Sequence, residues 1–245
     1  MNEIGKYKII RKIGTGGMAT VYLVQDKLMQ KYFAMKILHP QFTENEKIRQ
    51  RFIQEARLQI SLNHPNIIRC FDVDFQNEYY YILLEYIPGL SLSDILSERQ
   101  RPFPLDVNIA IFIQVLAAMD YAHRQNVVHR DIKPHNIIVA NSGGDLKATD
   151  TVKIGDFGIA KAFGEDSHTR TGSRLGTLQY MSPEQIVDSS KVDFRSDIYG
   201  LGVTFYQLLT GKLPYKDTTN ELTLMEAIVK ERVVIPPQFK NSYPN

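Results

Sequence analysis

Two stretches of this chain carry side chains that could act together on a charged, metal-bound substrate. His129-Arg130-Asp131-Ile132-Lys133-Pro134-His135-Asn136 places a carboxylate, an ammonium and an amide within six residues. Asp156-Phe157-Gly158 adds a second carboxylate after a short apolar strand. Carboxylate and amide oxygens suit hard cations, the ammonium is a fixed positive charge, and one carboxylate remains to accept a hydroxyl proton. A triphosphate with its magnesium ions needs that set of groups.

Upstream, Gly14-Thr15-Gly16-Gly17-Met18-Ala19-Thr20-Val21 lies between two predicted strands. Glycines let the backbone approach phosphates closely and turn its N–H groups toward them. The same residues would also serve in an ordinary hairpin turn. A dinucleotide-binding turn does not fit, because a strand and not a helix follows. Ala34-Met35-Lys36 sits in an alternating strand, where a lysine between apolar residues most often reaches out to solvent. Glu55, however, shares the Ile48/Phe52 face of a predicted helix, and a carboxylate on an apolar face is costly unless paired. Taken alone, each residue favours a structural reading; together they favour a functional one.

The elements that must hold these groups divide the chain in two. Short β-rich runs over Tyr7–Ile13, Thr20–Gln25 and Tyr32–Leu38 are separated by turn signals, and two more follow at Ile67–Phe75 and Tyr79–Glu85. A helix from about Glu44 to Leu62 interrupts them, ended by Asn63-His64-Pro65-Asn66. Pro88-Gly89 marks the change of character. Beyond it the pattern is helical, over Leu92–Arg99, Asp106–Gln125, Ser196–Thr210 and Leu222–Glu231, with the Ser196 helix apolar almost all round and so expected at the centre of a lobe. Ser142-Gly143-Gly144-Asp145 reads as an insertion between two short strands. The fold class is α+β: a small lobe over residues 1–87 with a five-stranded sheet and one helix, and a mainly helical lobe over residues 88–245.

Composition narrows the alternatives. A net charge of +2 over 245 residues, with scattered basic side chains, argues against nucleic acid or a membrane surface. The longest apolar stretch, Ile198 to Leu209, falls short of the ~18 residues that suggest a membrane span. The N-terminus lacks the apolar core of a signal peptide. Cys70 is the single cysteine, which excludes an internal disulfide and fits a reducing cytoplasm. It reads as a buried small hydrophobe beside Ile67, Ile68 and Phe71.

The eight-residue string at His129–Asn136, with Asp-Phe-Gly at the right distance, resembles the protein kinase superfamily. Lys133 after Asp131 is similar to its serine/threonine branch, and Gly16-Gly17-Met18, Ser182-Pro183-Glu184 and Phe194-Arg195-Ser196-Asp197 resemble its bacterial members. The resemblance implies a two-lobed kinase fold, ATP with Mg2+ (or Mn2+), and protein substrates with Ser or Thr acceptors. It also implies roles. Asp131 would accept the hydroxyl proton, Lys133 would stabilise the transferred phosphoryl group, and Asn136 and Asp156 would hold the metal. Lys36 would bind the α- and β-phosphates with Glu55 behind it, while Gly14, Thr15, Gly16 and Gly17 cover the phosphates. The Glu85 carbonyl and the Ile87 backbone would hydrogen-bond adenine between Val21, Ala34 and Ile138. His129 and Phe157 would be structural, and Asp197 would cap backbone N–H groups and tie its helix to the catalytic loop. Thr169 and Thr171 are the expected activation-loop phosphorylation pair, with Arg130 as the partner of the phosphate, and Thr177 is expected against Asp131 and Lys133.

Three departures from the family pattern carry expectations of their own. Ala19 stands where a third glycine is usual, and Gln59 where an apolar residue is usual. Glu184 has no evident arginine partner, because the resemblance stops near Pro237. That end predicts an incomplete helical lobe with exposed apolar surface near the Ser196 helix, marginal stability or self-association. Two other functions stay open at this point. One is a pseudokinase, a binding scaffold without turnover, which Gln59 and the short end leave open and the intact Lys36, Asp131, Asn136 and Asp156 oppose. The other is a small-molecule kinase of the aminoglycoside type, which generally lacks Lys133-Pro134 and Ser182-Pro183-Glu184.

Overall fold

The computed structural model describes residues 2–98, 102–140, 146–157, 176–215, 218 and 220–234. Its first part is an antiparallel sheet of six strands in the order β1-β2-β3-β4-β6-β5: β1 (Glu3–Ile4), β2 (Tyr7–Thr15), β3 (Ala19–Asp26), β4 (Tyr32–Leu38), β5 (Cys70–Gln76) and β6 (Tyr79–Glu85). The sequence reading expects five. The additional strand is the two-residue β1, folded onto β2 through Gly5, whose φ of 53° is open to glycine without strain. Two residues are too few for an alternating pattern to show.

Helix α1 (Glu46–Ile60) crosses this sheet, with the Asn45 side chain accepting from the Ile48 N–H as its N-cap. The start lies two residues later than the acids alone suggest, because Asn45 and not Glu44 supplies the cap. Phe52, Glu55, Ala56 and Gln59 form its buried face. Phe52 and Ala56 meet Ala34, Leu38, Ile82 and Leu84 of the sheet in one apolar cluster, which also takes the Ala19 methyl and Cys70. Ile67 and Ile68 do not belong to β5. The Ile68 N–H donates to the Ile154 carbonyl at 2.7 Å and the Ile154 N–H to the Asn66 carbonyl at 2.8 Å. The start of the expected strand is thus spent on binding the first part of the chain to the second.

The second part is helical around a small sheet. Strands β7 (Gly89–Ser91), β8 (Ile137–Ala140) and β9 (Val152–Ile154) pair in that order, and the helices are α2 (Leu92–Glu98), α3 (Leu105–Arg124), α4 (Pro183–Val187), α5 (Phe194–Thr210) and α6 (Glu221–Lys230). Among the described residues α3 is the one helix long and apolar enough to cross a membrane. One side of it, including Ile111, Val115, Ala118 and Met119, is buried in the main core with Leu92, Ile95, Ile137, Ile154 and Phe157.

Helix α5 departs from the expectation of all-round burial. Asp197, Gly200, Leu201, Thr204 and Leu208 are buried, whereas Phe194 and Ile198 are about half exposed on the other side. The pattern is apolar on both faces, but packing uses one. Asp193 is the N-cap of α5, accepting from the Arg195 N–H. The Asp197 carboxylate instead accepts backbone N–H groups of the His129–Asn136 segment, tying α5 to it as expected.

Candidate active site

The loop between α3 and β8 carries Asp131, Lys133 and Asn136, and its shape is enforced from below. The buried Asp197 carboxylate accepts the N–H groups of His129 at 2.8 Å and Arg130 at 2.7 Å, and its Oδ2 also lies 2.8 Å from His123 Nε2. Arg130 is held at φ 65°, the left-handed region that a branched-out side chain rarely adopts. His129 is fully buried against Phe157, ring centroids 4.5 Å apart. Its Nε2 meets the Gly155 carbonyl at 3.0 Å, and its Nδ1 meets the Asp131 N–H at 3.2 Å. An Nδ1 that accepts and an Nε2–H that donates describe a neutral imidazole. Burial pushes the His129 pKa down in agreement, although Asp197 and Asp131 oppose that. His129 and Phe157 are thus structural, as expected.

The candidate site residues are held next to this support. Lys133 Nζ is 3.1 Å from the Asp131 carboxylate and 3.1 Å from Thr177 Oγ1. The Asn136 amide nitrogen donates to the Asp131 carbonyl at 2.7 Å and to its carboxylate at 3.2 Å, which leaves the amide oxygen as the end able to ligate a cation. From the first sheet, Lys36 reaches Glu55 at 2.6 Å and Asp156 at 2.9 Å. Burial works against the Lys36 ammonium, but Asp156 and Glu55 outweigh it and push its pKa up, so it stays charged. Lys36 in turn holds the Asp156 carboxyl below the ordinary carboxylate range. Burial pushes Glu55 up, and Lys36 only partly offsets that. Asp156 itself sits at φ 53° with its side chain about half exposed, while the neighbouring Phe157 is fully buried. One residue faces the cleft and the next anchors it.

A family model described as protein kinase domain matches residues 7–245. The chain belongs to the protein kinase family. It is 38% identical over 211 residues to the serine/threonine-protein kinase PrkC of Bacillus subtilis, covering 86% of this chain and 31% of that protein. It is 35% identical over 240 residues to a probable serine/threonine-protein kinase of Clostridium perfringens, covering 98% of this chain and 34% of the relative. The chain therefore spans about a third of the length of these curated relatives. The crystal structure of the Mycobacterium tuberculosis PknI kinase domain superposes with a TM-score of 0.67 at 27% identity, covering 87% of this chain and 76% of that one. The two-lobed kinase fold and the bacterial serine/threonine branch follow from these likenesses.

The remaining candidate residues lie on β2, β3, β4, β6 and β8 or in the turns that follow these strands. Gly14 and Thr15 pair with Val21 and Thr20 across the β2–β3 hairpin, and the Gly16 N–H donates to the Ala19 carbonyl at 2.8 Å. Ala19 is buried in the sheet core, so its methyl group has a place of its own and does not crowd the glycine turn. Ala34 is buried, Val21 and Ile138 are half-buried, and Glu85 and Ile87 lie where β6 leaves the first sheet. Gln59 is satisfied: its amide donates to the Ile68 carbonyl at 2.9 Å. Glu184 is not partnerless, because the buried Ser196 hydroxyl donates to it at 2.5 Å. Thr169 and Thr171 lie outside the described residues.

Other polar contacts tie neighbouring elements to the site. Lys153 pairs with the Glu85 carboxylate at 2.8 Å, joining β9 to the end of β6. Alternation in Val152-Lys153-Ile154 signals that Lys153 points away from the core, but not toward what. Gln185 reaches the catalytic loop, donating to the Arg130 carbonyl at 2.8 Å.

Proposed function

We propose that this chain is the catalytic domain of a serine/threonine protein kinase that moves the γ-phosphate of ATP to protein hydroxyls, its lobes meeting near Pro88-Gly89. The observation that carries the reading is the placement of Lys36 between Glu55 and Asp156, beside the Asp131–Lys133–Asn136 cluster. A binding scaffold has no need of this full set.

In this reading Asp131 accepts the proton of the attacking hydroxyl, whose oxygen forms the new bond to phosphorus as the bond to the ADP oxygen breaks. Lys133 neutralises charge on the transferred group, and its contact with Thr177 ties that ammonium to the segment before Ser182. Lys36, fixed by Glu55, grips the α- and β-phosphates. The glycine-rich turn at Gly14–Gly17 covers the phosphates, while Val21, Ala34 and Ile138 enclose adenine and the Glu85 and Ile87 backbone positions hydrogen-bond it.

The donor set fits a divalent cation shared with phosphates. Among the described residues no group of three or more His, Cys, Asp or Glu side chains is placed to hold a metal alone. Mg2+ commonly takes one or two protein oxygens and completes its shell with phosphate and water. Asp156, kept anionic by Lys36, and the Asn136 amide oxygen are those donors. Magnesium, or manganese in its place, supplies neutralisation of the phosphate charge. Thr169 and Thr171 are the proposed autophosphorylation sites, and the acceptors are Ser or Thr residues of cytoplasmic proteins.

Incubation with γ-labelled ATP, Mg2+ and a generic basic protein tests the reading. The parent chain transfers label, and Lys36→Met reduces transfer by about a hundredfold or more, the scale on which lost transition-state positioning is felt. An inactive parent, or a Lys36→Met variant as fast as the parent, contradicts it.

A further inference from the structure

The peptide group joining Arg130 to Asp131 carries the proposed base, and both of its polar ends are occupied. Its N–H, belonging to Asp131, meets His129 Nδ1 at 3.2 Å, and its carbonyl, belonging to Arg130, accepts the Gln185 amide at 2.8 Å. The N–H of Arg130 itself is taken by Asp197 at 2.7 Å. These bonds matter because Arg130 is held at φ 65°, a conformation that strains any residue other than glycine. Such strain persists only where the surroundings over-determine it.

Gln185 is placed to do this by a second set of contacts. Its side-chain oxygen accepts the Ser182 N–H at 3.0 Å, and its own N–H donates to the Ser182 hydroxyl at 3.4 Å, a reciprocal cap on α4. With the oxygen so engaged, the amide nitrogen is turned to Arg130. The same hollow is lined by Asp131, Thr177 and Tyr180. Gln185 therefore connects the segment that contains Ser182-Pro183-Glu184 directly to the backbone of the catalytic loop.

We propose that Gln185 is a positioning residue for phosphoryl transfer, its carboxamide fixing the Arg130–Asp131 peptide and thereby the aim of the Asp131 carboxylate. The inference rests on the kinase reading and adds to it a route by which order in the segment preceding Gln185 reaches the base. Because Gln185 touches neither Lys36 nor Asp156, its loss acts on the chemical step and spares nucleotide binding.

Gln185→Glu separates the two functions of the side chain. Glutamate keeps the acceptor for Ser182, so the cap and the fold survive, but it has no donor for the Arg130 carbonyl. Gln185→Lys makes the opposite change, keeping a donor and losing the acceptor. Label transfer, KM for ATP and thermal unfolding are measured for both variants and the parent. The expected result for Gln185→Glu is a kcat lower by about tenfold, the effect of one net hydrogen bond, with KM for ATP within about twofold. Both variants melt a few degrees below the parent, each having lost one hydrogen bond, but Gln185→Lys keeps kcat within about threefold. A Gln185→Glu enzyme with the kcat of the parent overturns the proposal, as does a Gln185→Lys enzyme equally slow. An inactive parent overturns the kinase reading itself, a result distinct from both.

Discussion

Replacing Asp197 by asparagine probes the support of the catalytic loop at a single atom. The carboxylate is fully buried, and its two oxygens divide three contacts: Oδ1 takes the Arg130 N–H, while Oδ2 takes the His129 N–H and meets His123 Nε2. An amide offers one oxygen and one NH2. With the NH2 at the Oδ1 position, Arg130 faces a donor. With it at the Oδ2 position, His123 can adjust its tautomer to accept, but His129 faces the donor. Either way one buried backbone N–H loses its acceptor. Hydrogen bonds to charged groups contribute about 1.5–3 kcal/mol, and an orphaned buried donor costs a similar amount, so about 2–4 kcal/mol of stability should go. Urea unfolding of the parent and Asp197→Asn measures it, with Asp193→Asn as the comparison. Asp193 caps α5 from a partly exposed position, and an amide keeps the acceptor for the Arg195 N–H, so a loss below about 1 kcal/mol is expected there. Equal losses at the two sites, or a loss below about 1 kcal/mol at Asp197, would refute the reasoning.

Two further outcomes follow from local structure. His129 has a depressed folded pKa, so below the ordinary histidine pKa the unfolded chain binds more protons, and stability falls as pH drops from about 6.5. The slope from this one group is at most about 1.4 kcal/mol per pH unit, and His129→Phe should flatten it; an unchanged slope in urea titrations between pH 7.5 and 5.5 counts against a neutral buried ring. Glycines at two positions should respond oppositely to alanine. At Gly89 a Cβ would fall 2.0 Å from the Val139 carbonyl oxygen, so Gly89→Ala should force β7 from β8, at a cost of roughly 2 kcal/mol or more. Gly202, in the middle of α5, has nothing within 4 Å of that position among the described residues, and Gly202→Ala should stabilise by about 0.5–1 kcal/mol. Thermal unfolding distinguishes them, and a shift of the same sign in both would show that α5 or the β7–β8 pair is wrongly described.

Much of this site is legible in the sequence because its parts obey local rules. Glu55 on an apolar helix face requires a cation, and Lys36 is that cation at 2.6 Å. Strands β4 and β6 begin and end where alternation and turn residues place them. What stays hidden depends on tertiary approach. Nothing in Ile67-Ile68 signals that they would bond to Ile154 and leave β5 to start at Cys70. Asp193 and Asp197 are both acids at the start of one helix, and only packing assigns the cap to the first and the catalytic loop to the second. Gln59 and Gln185 are neutral amides whose partners are backbone carbonyls on other elements. A carbonyl leaves no mark in the sequence, so such contacts are invisible until the loops are placed. Ser196 as the partner of Glu184 is hidden for the same reason.

Asp131 is the proposed acceptor of the hydroxyl proton, and the other site residues are arranged around it. Single-turnover transfer from γ-labelled ATP, measured alongside equilibrium binding of ATP with Mg2+, addresses it most directly. Asp131→Asn should bind the nucleotide within about threefold of the parent and transfer label more slowly by about a thousandfold, the order that loss of a positioned general base allows. Transfer by Asp131→Asn at the parent rate would contradict the account.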